Sequence, residues 1–409
     1  MKWTEGLDKL GIGMYILLCC FAIANIYSVD QGLGTKQFIF FIISLIVGFF
    51  IFIARGKFFE NMAGIFYIGG VLLLVGLFPF GTEILGQKNW YKFGGITLQP
   101  VEFAKIGTAL MLANYASSAD FNLKYKNSLL TTAIIIGIPA IVVLLIPDVG
   151  SLLVFFAFVI AMYREGLSGY LFVWIGVFAA VFLFSIAFNP WYIIAAIVGV
   201  TLIIILKNYR RIYWNIVTIG GILGVVLVLS GLAMATPTVL EKLPKHQRER
   251  IEVLYKGEKA FRDTSGYNLL YSKTAIGSGG LLGKGYREGS VTRGKFVPEQ
   301  ETDYIFCTVG EEWGFLGSSF LILIYTLFIG RIYYLAEQQK SIFNRVFGYS
   351  FASILLMHFG INIGMVMGLF PTVGIPLPYF SYGGSSLLAF SVMTAIFFKL
   401  NYVDKNSLV

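Results

Sequence analysis

The sequence contains little charge and little cysteine for its length. Charged side chains make up 13% of the 409 residues and hydrophobic residues 57%, whereas about a quarter of the residues of a soluble domain are charged. This composition excludes an ordinary water-soluble domain. The three cysteines, Cys19, Cys20 and Cys307, give no disulfide framework, since two are adjacent in one apolar run, and we expect them to be packing residues.

A series of long apolar runs occupies most of the chain instead. Roughly 20 helical residues cross a bilayer core, and these runs lack the alternation of polar and apolar residues that is typical of barrel strands. The runs therefore predict an all-α, polytopic transmembrane helical bundle. We predict twelve spans, at about residues 10–27, 38–54, 62–80, 101–117, 129–146, 149–163, 168–188, 191–206, 212–234, 306–333, 346–370 and 384–400.

Lysine and arginine are distributed unequally between alternate loops. With a cytoplasmic N-terminus, fifteen of them fall on the inner side and the short outer loops hold only Lys36, Lys88 and Lys92. This predicts that both termini are cytoplasmic and that residues 1–409 form a single integral membrane domain. A cleaved signal peptide over the first run is the less favoured alternative, because its removal would break this charge alternation.

Residues 235–305 are predicted to form the one large extracytoplasmic loop, although they contain twelve Lys and Arg residues. Long loops cross a membrane largely regardless of charge. The loop's basic character then suggests an anionic ligand, and nucleic acid is not expected outside the cell. Arg248, Arg250, Arg293 and Lys295 are candidates for binding that anion, and a solvated basic surface is the alternative.

Three carboxylates, Glu299, Glu301 and Asp303, alternate just before an apolar run. Ionisable groups at membrane depth are costly and tend to have a function. Asp303, the nearest to the run, is therefore our candidate for a general base. Two alternatives remain, a helix N-cap at Asp303 and a metal site shared by the three acids.

The glycine-rich segment Gly277–Gly285 has the appearance of a phosphate-binding loop. Its spacing fails the Walker A pattern, and Gly285 stands where that pattern requires Ser or Thr. We expect a turn that lets two backbones approach closely. A backbone cradle for pyrophosphate, with Lys284 beside it, is the alternative.

Other polar residues lie close to apolar runs. Glu102 and Lys105 are three residues apart and can pair on a helix, either as structural residues or along a substrate path. Asp148 follows Pro147 and is either a helix cap or a site residue. Residues 371–384 contain three prolines and three glycines, which predicts a re-entrant, non-helical outer segment that lines a cavity. His358, inside a span, is expected to be a packing residue.

Several of these patterns, in this order, resemble the SEDS family of shape, elongation, division and sporulation proteins, which includes RodA and FtsW. The resemblance covers nearly the whole chain and is closer to RodA around Gly283–Gly285. It depends on Gly86–Trp90, Gln99–Lys105, Pro147–Gly150, Ile276–Gly280, Pro298–Asp303 and Pro376–Ser386. Family members usually have ten spans, so an extra helix pair within residues 168–234 is expected here.

The resemblance implies a peptidoglycan glycosyltransferase that polymerises lipid II at the outer face of the bacterial cytoplasmic membrane, in elongation and shape maintenance. A class B penicillin-binding protein, a polyprenyl-linked glycan strand and membrane lipids are the implied partners. No cofactor is certain, and Mg²⁺ or Mn²⁺ is an option. Asp303 is the expected catalytic residue; the expected substrate-binding residues are Lys88, Trp90, Glu102, Lys105, Asp148, Arg248, Arg250, Lys284, Arg293, Lys295, Glu299, Ser381 and Tyr382.

The chain also departs from the family pattern. Asn89 stands where family members often have Arg, and Lys88 is expected to supply the displaced charge. Two other functions stay open at this point. A flippase for lipid-linked precursors would use the same cavity but would need more polar groups in the inner half of the bundle, and a non-catalytic scaffold for a penicillin-binding protein would tolerate the loss of Asp303.

Overall fold

The apolar runs fold into helices, in a computed structural model that describes residues 6–84, 87–94 and 96–406. A short 3₁₀ helix, Glu258–Phe261, lies between two of them. The α-helices are α1 (Lys9–Val29), α2 (Gln31–Ile53), α3 (Phe58–Val75), α4 (Leu77–Phe80), α5 (Pro100–Ala116), α6 (Lys126–Leu145), α7 (Val149–Val154), α8 (Ala157–Arg164), α9 (Tyr170–Ala187), α10 (Pro190–Asn208), α11 (Ile216–Lys242), α12 (Lys245–Lys256), α13 (Tyr267–Ser278), α14 (Ser290–Arg293), α15 (Ile305–Glu312), α16 (Gly314–Glu337), α17 (Ile342–Val366) and α18 (Gly384–Asn406).

The predicted fold class is confirmed. Within the described residues, ten helices are long and apolar enough to cross a membrane, and they correspond to ten of the twelve predicted spans. The other two predicted spans, 101–117 and 149–163, are the 17-residue helix α5 and the short pair α7 and α8. The chain is a multi-pass membrane protein, while the number of crossings and the side of the termini stay predictions.

Two predicted boundaries are wrong for physical reasons. The predicted span 306–333 is interrupted, because Gly314 has a φ of 64° and separates α15 from α16. Only glycine adopts this left-handed conformation at little cost. The predicted loop 235–305 begins too early, since α11 continues to Lys242, and shorter helices follow within it. Its extracytoplasmic location stays a prediction.

A first compact unit comprises Met1–Leu167 and Tyr267–Val409. Its core lies around α17, which packs against α5, α8, α16 and α18. Large buried aromatic residues on this helix, such as Phe347 and Phe351, are fully enclosed. The unit also contains a small antiparallel sheet of β1 (Thr82–Ile84), β2 (Gln87–Phe93) and β3 (Ile96–Leu98), in which β2 is central and β3 contacts α18.

At one end of this unit, ion pairs join segments that were all predicted to be cytoplasmic. The segments are the start of α1, the end of α8 and the connection between α16 and α17. Their contacts are therefore consistent with one membrane side for all three. The pairs are Asp8–Arg331 at 2.5 Å, Arg164–Glu337 at 2.6 Å and Glu165–Arg345 at 2.8 Å.

The second compact unit is Ser168–Gly266. Its long helices α9, α10 and α11 pack on one another around a small cluster of Val181, Leu229 and Ala233. Most of their apolar side chains are exposed, as expected of surfaces that face lipid. The charge-rich helix α12 follows in the same unit.

Candidate active site

The centre of the candidate site is a non-helical stretch of residues 371–383, which we call the hub segment. Three prolines, Pro371, Pro376 and Pro378, lack the N–H group that a helix requires, and Gly374 has a φ of 71°. Ile375, Leu377 and the residues 379–381 are nearly inaccessible to solvent. The later part of the hub segment is therefore enclosed by protein, whereas Gly374 is exposed, so the segment is not a simple exposed turn. Its outer location and its lining of a cavity stay predictions.

Buried carbonyl groups of the hub segment accept hydrogen bonds from side chains of neighbouring helices. Asn362 Nδ2 donates to the Ile375 carbonyl at 2.7 Å. His358 Nδ1 lies 3.0 Å from the Pro376 carbonyl, and the Tyr325 hydroxyl donates to the Pro378 carbonyl. These side chains replace the partners that a helix or water would otherwise provide.

The turn that carries Asp303 is attached to the hub segment. Asn362 Nδ2 also donates to the Asp303 carbonyl at 2.9 Å, and the Ser381 hydroxyl donates to the Thr302 carbonyl at 2.5 Å. The backbone N–H of Tyr382 donates to the Glu301 carbonyl at 2.8 Å. The structure thus brings together the two sequence motifs that contain Asp303 and Ser381.

Asp303 itself is partly buried, and it does not occupy the cap position of α15. Tyr304 holds that position and makes no side-chain capping bond, while its hydroxyl lies 2.7 Å from that of Thr372. A β-carbon built on Gly374 would stand 3.2 Å from Asp303 Oδ2. The carboxylate of Asp303 therefore lies close to Gly374 of the hub segment, which has no side chain.

A buried polar chain lies behind the hub segment. Lys105 Nζ is 2.8 Å from Glu102 Oε1 and 2.7 Å from His358 Nε2. The side chains of Lys105 and Glu102 are 0% and 1% exposed, so substrate does not reach them in this conformation. The expected pairing of Glu102 with Lys105 is confirmed, and a direct contact of either residue with substrate stays a prediction.

Asp148 is the N-cap of α7, where its carboxylate accepts bonds from the backbone N–H and the hydroxyl of Ser151 at 2.9 and 2.7 Å. This confirms the capping alternative. Two residues later, a β-carbon on Gly150 would lie 2.6 Å from the Val373 carbonyl oxygen, so this motif packs closely on the hub segment. Any direct role of Asp148 in binding stays a prediction.

The carboxylates near Asp303 do not assemble a metal site. Glu299 has a φ of 57°, and its Oε2 accepts a hydrogen bond from the Thr302 hydroxyl at 3.0 Å. Throughout the described part of the chain, no group of three His, Cys, Asp or Glu residues is placed to hold a metal ion. The metal alternative for Glu299, Glu301 and Asp303 therefore finds no support in their geometry.

The glycine-rich segment approaches the junction of α15 and α16 backbone to backbone. The N–H groups of Lys284 and Gly285 donate to the carbonyls of Glu311 and Glu312 at 3.0 and 3.1 Å. This close approach was the favoured prediction. The pyrophosphate cradle is wrong for these two amides, because protein carbonyls already occupy them.

Lys284 is also engaged through its side chain. Its Nζ lies 2.6 Å from Oε1 of Glu311, whose side chain is 0% exposed. The Glu311 carboxylate also accepts hydrogen bonds from the backbone N–H groups of Val291 and Thr292. The predicted role of Lys284 in binding an anion would require this ion pair to open.

The other predicted cations have different surroundings. Lys295 is 68% exposed and lies 3.6 Å from Asp30, whose pKa is held below its usual value by the backbone N–H of Leu33 and by this ammonium. Arg293 is exposed at the end of α14. Arg248 and Arg250 lie on α12 in the second unit, where Arg248 is 3.7 Å from Glu252.

The residues on strand β2 have opposite orientations. Asn89 is buried and Lys88 is exposed, as expected for neighbours on one strand. The expectation that Lys88 replaces a charge at position 89 is therefore wrong, because the two side chains point to opposite faces. Trp90, partly buried, pairs with Thr82 across the sheet.

Ser381 and Tyr382 lie where the hub segment meets the Asp303 turn. The Ser381 hydroxyl accepts from the N–H of Leu377 at 2.8 Å while it donates to Thr302. Burial raises the pKa of Tyr382. Ser381 is 4% exposed, which makes it a structural tie in this conformation.

The sequence analysis missed three residues that organise the site: Asn362, Tyr325 and Glu311. Asn362 follows His358 by four residues, so the two lie on one face of α17, a spacing that the sequence shows. Glu311 stands with Glu312 inside an apolar run, and two adjacent acids at membrane depth are a signal of function. Tyr325 gives no such signal, because tyrosine is common in membrane helices.

Comparison with known proteins finds a matching family model and similar relatives. A family model for FtsW, RodA and SpoVE, described as cell cycle proteins, matches residues 6–196 and 164–406. The peptidoglycan glycosyltransferase MrdB of Escherichia coli K12 is 31% identical over 331 residues, which cover 81% of this chain and 75% of MrdB. RodA of Treponema pallidum is 27% identical over 371 residues, covering 84% of this chain and 83% of that protein.

Solved structures share the fold at low sequence identity. One describes the structural coordination of polymerization and crosslinking by a peptidoglycan synthase complex; it has a TM-score of 0.72 and 22% identity, covering 98% of this chain and 99% of that one. The rod shape determining protein RodA of Thermus thermophilus has a TM-score of 0.64 and 22% identity, with 99% of both chains covered. The chain therefore belongs to the FtsW, RodA and SpoVE family of cell cycle proteins, the SEDS family.

Proposed function

We propose that this chain is a peptidoglycan glycosyltransferase that polymerises lipid II into glycan strands, with Asp303 as its general base. Its relatives MrdB and RodA are named peptidoglycan glycosyltransferases, and the chain is assigned to the same class of enzyme. The observation that carries the role of Asp303 is its attachment, through Asn362 and Ser381, to the buried hub segment. A catalytic group must be held in a fixed geometry, and this attachment provides it.

The proposed reaction is an inverting glycosyl transfer. The 4-hydroxyl oxygen of the acceptor sugar forms a bond to the anomeric carbon of the donor, and the bond from that carbon to the lipid pyrophosphate breaks. The hydroxyl proton moves to the carboxylate of Asp303, and the pyrophosphate leaves with the bonding electrons. Such a base typically contributes about 10²- to 10⁴-fold to the rate.

Cations are needed where negative charge develops on the leaving pyrophosphate. In the first unit, Lys295 and Arg293 are exposed and are the candidates for this role, whereas Lys284 is paired with Glu311. Arg248 and Arg250 remain proposed substrate residues on α12. No step of this reaction is assigned to a metal ion, and a requirement for Mg²⁺ or Mn²⁺ stays a prediction.

The proposed site of action is the outer face of the bacterial cytoplasmic membrane, during elongation and shape maintenance. A class B penicillin-binding protein is the proposed partner, since one solved structure with this fold is described as a peptidoglycan synthase complex. The distribution of Lys and Arg supports the outward orientation of the Asp303 turn.

The test compares Asp303→Asn with Glu301→Gln. Both variants remove one negative charge from the same turn, but only the first removes the proposed base. Purified protein is incubated with lipid II, with and without its partner, and the glycan strands are separated by gel electrophoresis. Asp303→Asn is expected to lower the initial rate by about 10²-fold or more, while Glu301→Gln stays within a few fold of wild type.

Full activity of the Asp303→Asn variant would remove this residue from the mechanism. Absence of glycan from the wild-type chain with lipid II and partner would contradict the proposed activity itself.

A further inference from the structure

His358 makes polar contacts with both the buried Lys105 of α5 and the hub segment. Its Nε2 lies 2.7 Å from the ammonium of the buried Lys105, and its Nδ1 lies 3.0 Å from the Pro376 carbonyl of the hub segment. The ring is 2% exposed and makes an edge contact with Phe390 at 5.0 Å between ring centres. The imidazole therefore has a fixed place and two fixed polar contacts.

These contacts determine the protonation of the ring. A carbonyl oxygen only accepts, so Nδ1 must carry the proton, and a neutral imidazole then offers Nε2 as an acceptor. An ammonium only donates, so Lys105 fits that acceptor. An imidazolium would place an N–H against the ammonium. The geometry selects the neutral ring with the proton on Nδ1, and Lys105 selects this tautomer.

Asn362 lies one turn after His358 on α17 and donates a hydrogen bond to the adjacent carbonyl of the hub segment, that of Ile375. It donates to Ile375 and to Asp303, while His358 donates to Pro376. Two successive carbonyls of the hub segment are thus held from one helix face, and the same face holds the backbone of Asp303. A displacement of Pro376 would move Gly374, which lies against the Asp303 carboxylate.

We infer that His358 is a positioning residue for Asp303: its Nδ1–H fixes the hub segment through Pro376, and the Glu102–Lys105 pair acts on the reaction by fixing the tautomer of His358. This inference rests on the proposed function. It gives the buried pair a role that needs no contact with substrate.

Three substitutions separate the two contacts of the ring. His358→Asn keeps an N–H donor close to the place of Nδ1 and loses the contact with Lys105. His358→Gln places an acceptor close to Nε2 and loses the donor to Pro376. His358→Phe keeps a ring of similar size against Phe390 and loses both polar contacts. Ser353→Ala is the control, since it removes from the same helix a part-buried hydrogen bond to Tyr333 on α16 and not to the hub segment.

The first measurement is the initial rate of glycan synthesis against lipid II concentration. His358→Phe and His358→Gln are expected to lower kcat by about 10- to 100-fold, the effect of a small misplacement of a catalytic group, with KM changed less than about threefold. His358→Asn should recover most of the rate, and Ser353→Ala should match wild type. A wild-type rate in His358→Phe, or equal losses in His358→Asn and His358→Gln, would overturn the inference.

The second measurement does not need activity. Hydrogen–deuterium exchange of purified protein reports on the N–H groups of Leu377 and Tyr382, which are bonded within the hub segment and to Glu301. Exchange should be faster in His358→Phe and His358→Gln than in wild type and His358→Asn. Unchanged exchange in His358→Phe would overturn the inference even for an active enzyme, whereas an inactive wild-type protein with the expected exchange pattern would refute the proposed function alone.

Discussion

At the scale of single residues, the buried charges of Glu102 and Lys105 on α5 are energetically costly. Lys105 and Glu102 are withdrawn from solvent, and Lys105 Nζ also lies 5.4 Å from the ring centre of Phe390. A buried charge is tolerated only when it is paired. Replacing one member of this pair should therefore lower the free energy of unfolding much more than replacing one member of an exposed ion pair such as Arg164–Glu337.

Lys105→Met should destabilise the protein by about 3–5 kcal/mol, because it leaves the carboxylate of Glu102 buried and uncompensated. Arg164→Ala breaks a pair whose side chains are 39% and 48% exposed and should cost about 0–1 kcal/mol. The measurement is the free energy of unfolding from a mild detergent into sodium dodecyl sulfate. Equal losses in the two variants would contradict this account, and Glu102→Gln added to Lys105→Met should recover part of the stability.

Single residues also show what the sequence could and could not predict. The pairing of Glu102 with Lys105 and the cap at Asp148 follow from local spacing, which sequence contains. The bond from Asn362 to Asp303 joins residues 59 positions apart. No local rule gives such a contact, because it depends on how α15 and α17 pack.

At the scale of elements, the junction of α15 and α16 is held by backbone contacts with the glycine-rich segment. A β-carbon on Gly279 would collide with the Gly310 carbonyl, and one on Gly283 would collide with the Glu312 carbonyl. The predicted close approach of backbones was correct, but its partner was unknown, since the sequence predicted one uninterrupted span across Trp313 and Gly314.

Gly279→Ala and Gly277→Ala form a matched pair two residues apart. Gly279→Ala should destabilise the protein by about 1–3 kcal/mol or more, because backbone atoms cannot yield to the added methyl group. Gly277, near the end of α13, has open space around its α-carbon in the described structure, so alanine there should be neutral or slightly stabilising. The same detergent titration measures both, and a Gly279→Ala protein as stable as Gly277→Ala would show that the contact is not tight.

At the scale of the whole molecule, the distribution of Lys and Arg predicts on which side of the membrane each end of the first unit lies. Ion pairs gather the predicted inner segments at one end, and the contact of Lys295 with Asp30 joins two predicted outer segments. Hydropathy and loop charge are the basis of this assignment, because they dominate membrane insertion. The contacts are consistent with it, and the side on which each end lies stays a prediction. The small sheet of β1, β2 and β3 was not predicted, since its strands are short and lie between apolar runs.

Cysteine labelling tests the orientation directly. Lys295→Cys and Lys340→Cys are both exposed positions, one predicted outside and one inside, and Cys20→Ala removes the exposed native thiol. In intact cells a membrane-impermeant maleimide should modify position 295 but not position 340, and both should react after the membrane is permeabilised. Labelling of position 340 alone in intact cells would invert the topology and place Asp303 in the cytoplasm.

The attachment of the Asp303 turn to the hub segment has a consequence for biosynthesis. A ribosome synthesises chains from the N-terminus, so the Asp303 turn is made well before the residues that bind it. Asn362 follows Asp303 by 59 positions, and Ser381 follows Thr302 by 79. A nascent chain that stops after α16 holds the carboxylate without the carbonyl contacts that fix it. The Asp303 turn therefore reaches the geometry described here only after the last two long helices, α17 and α18, have been inserted.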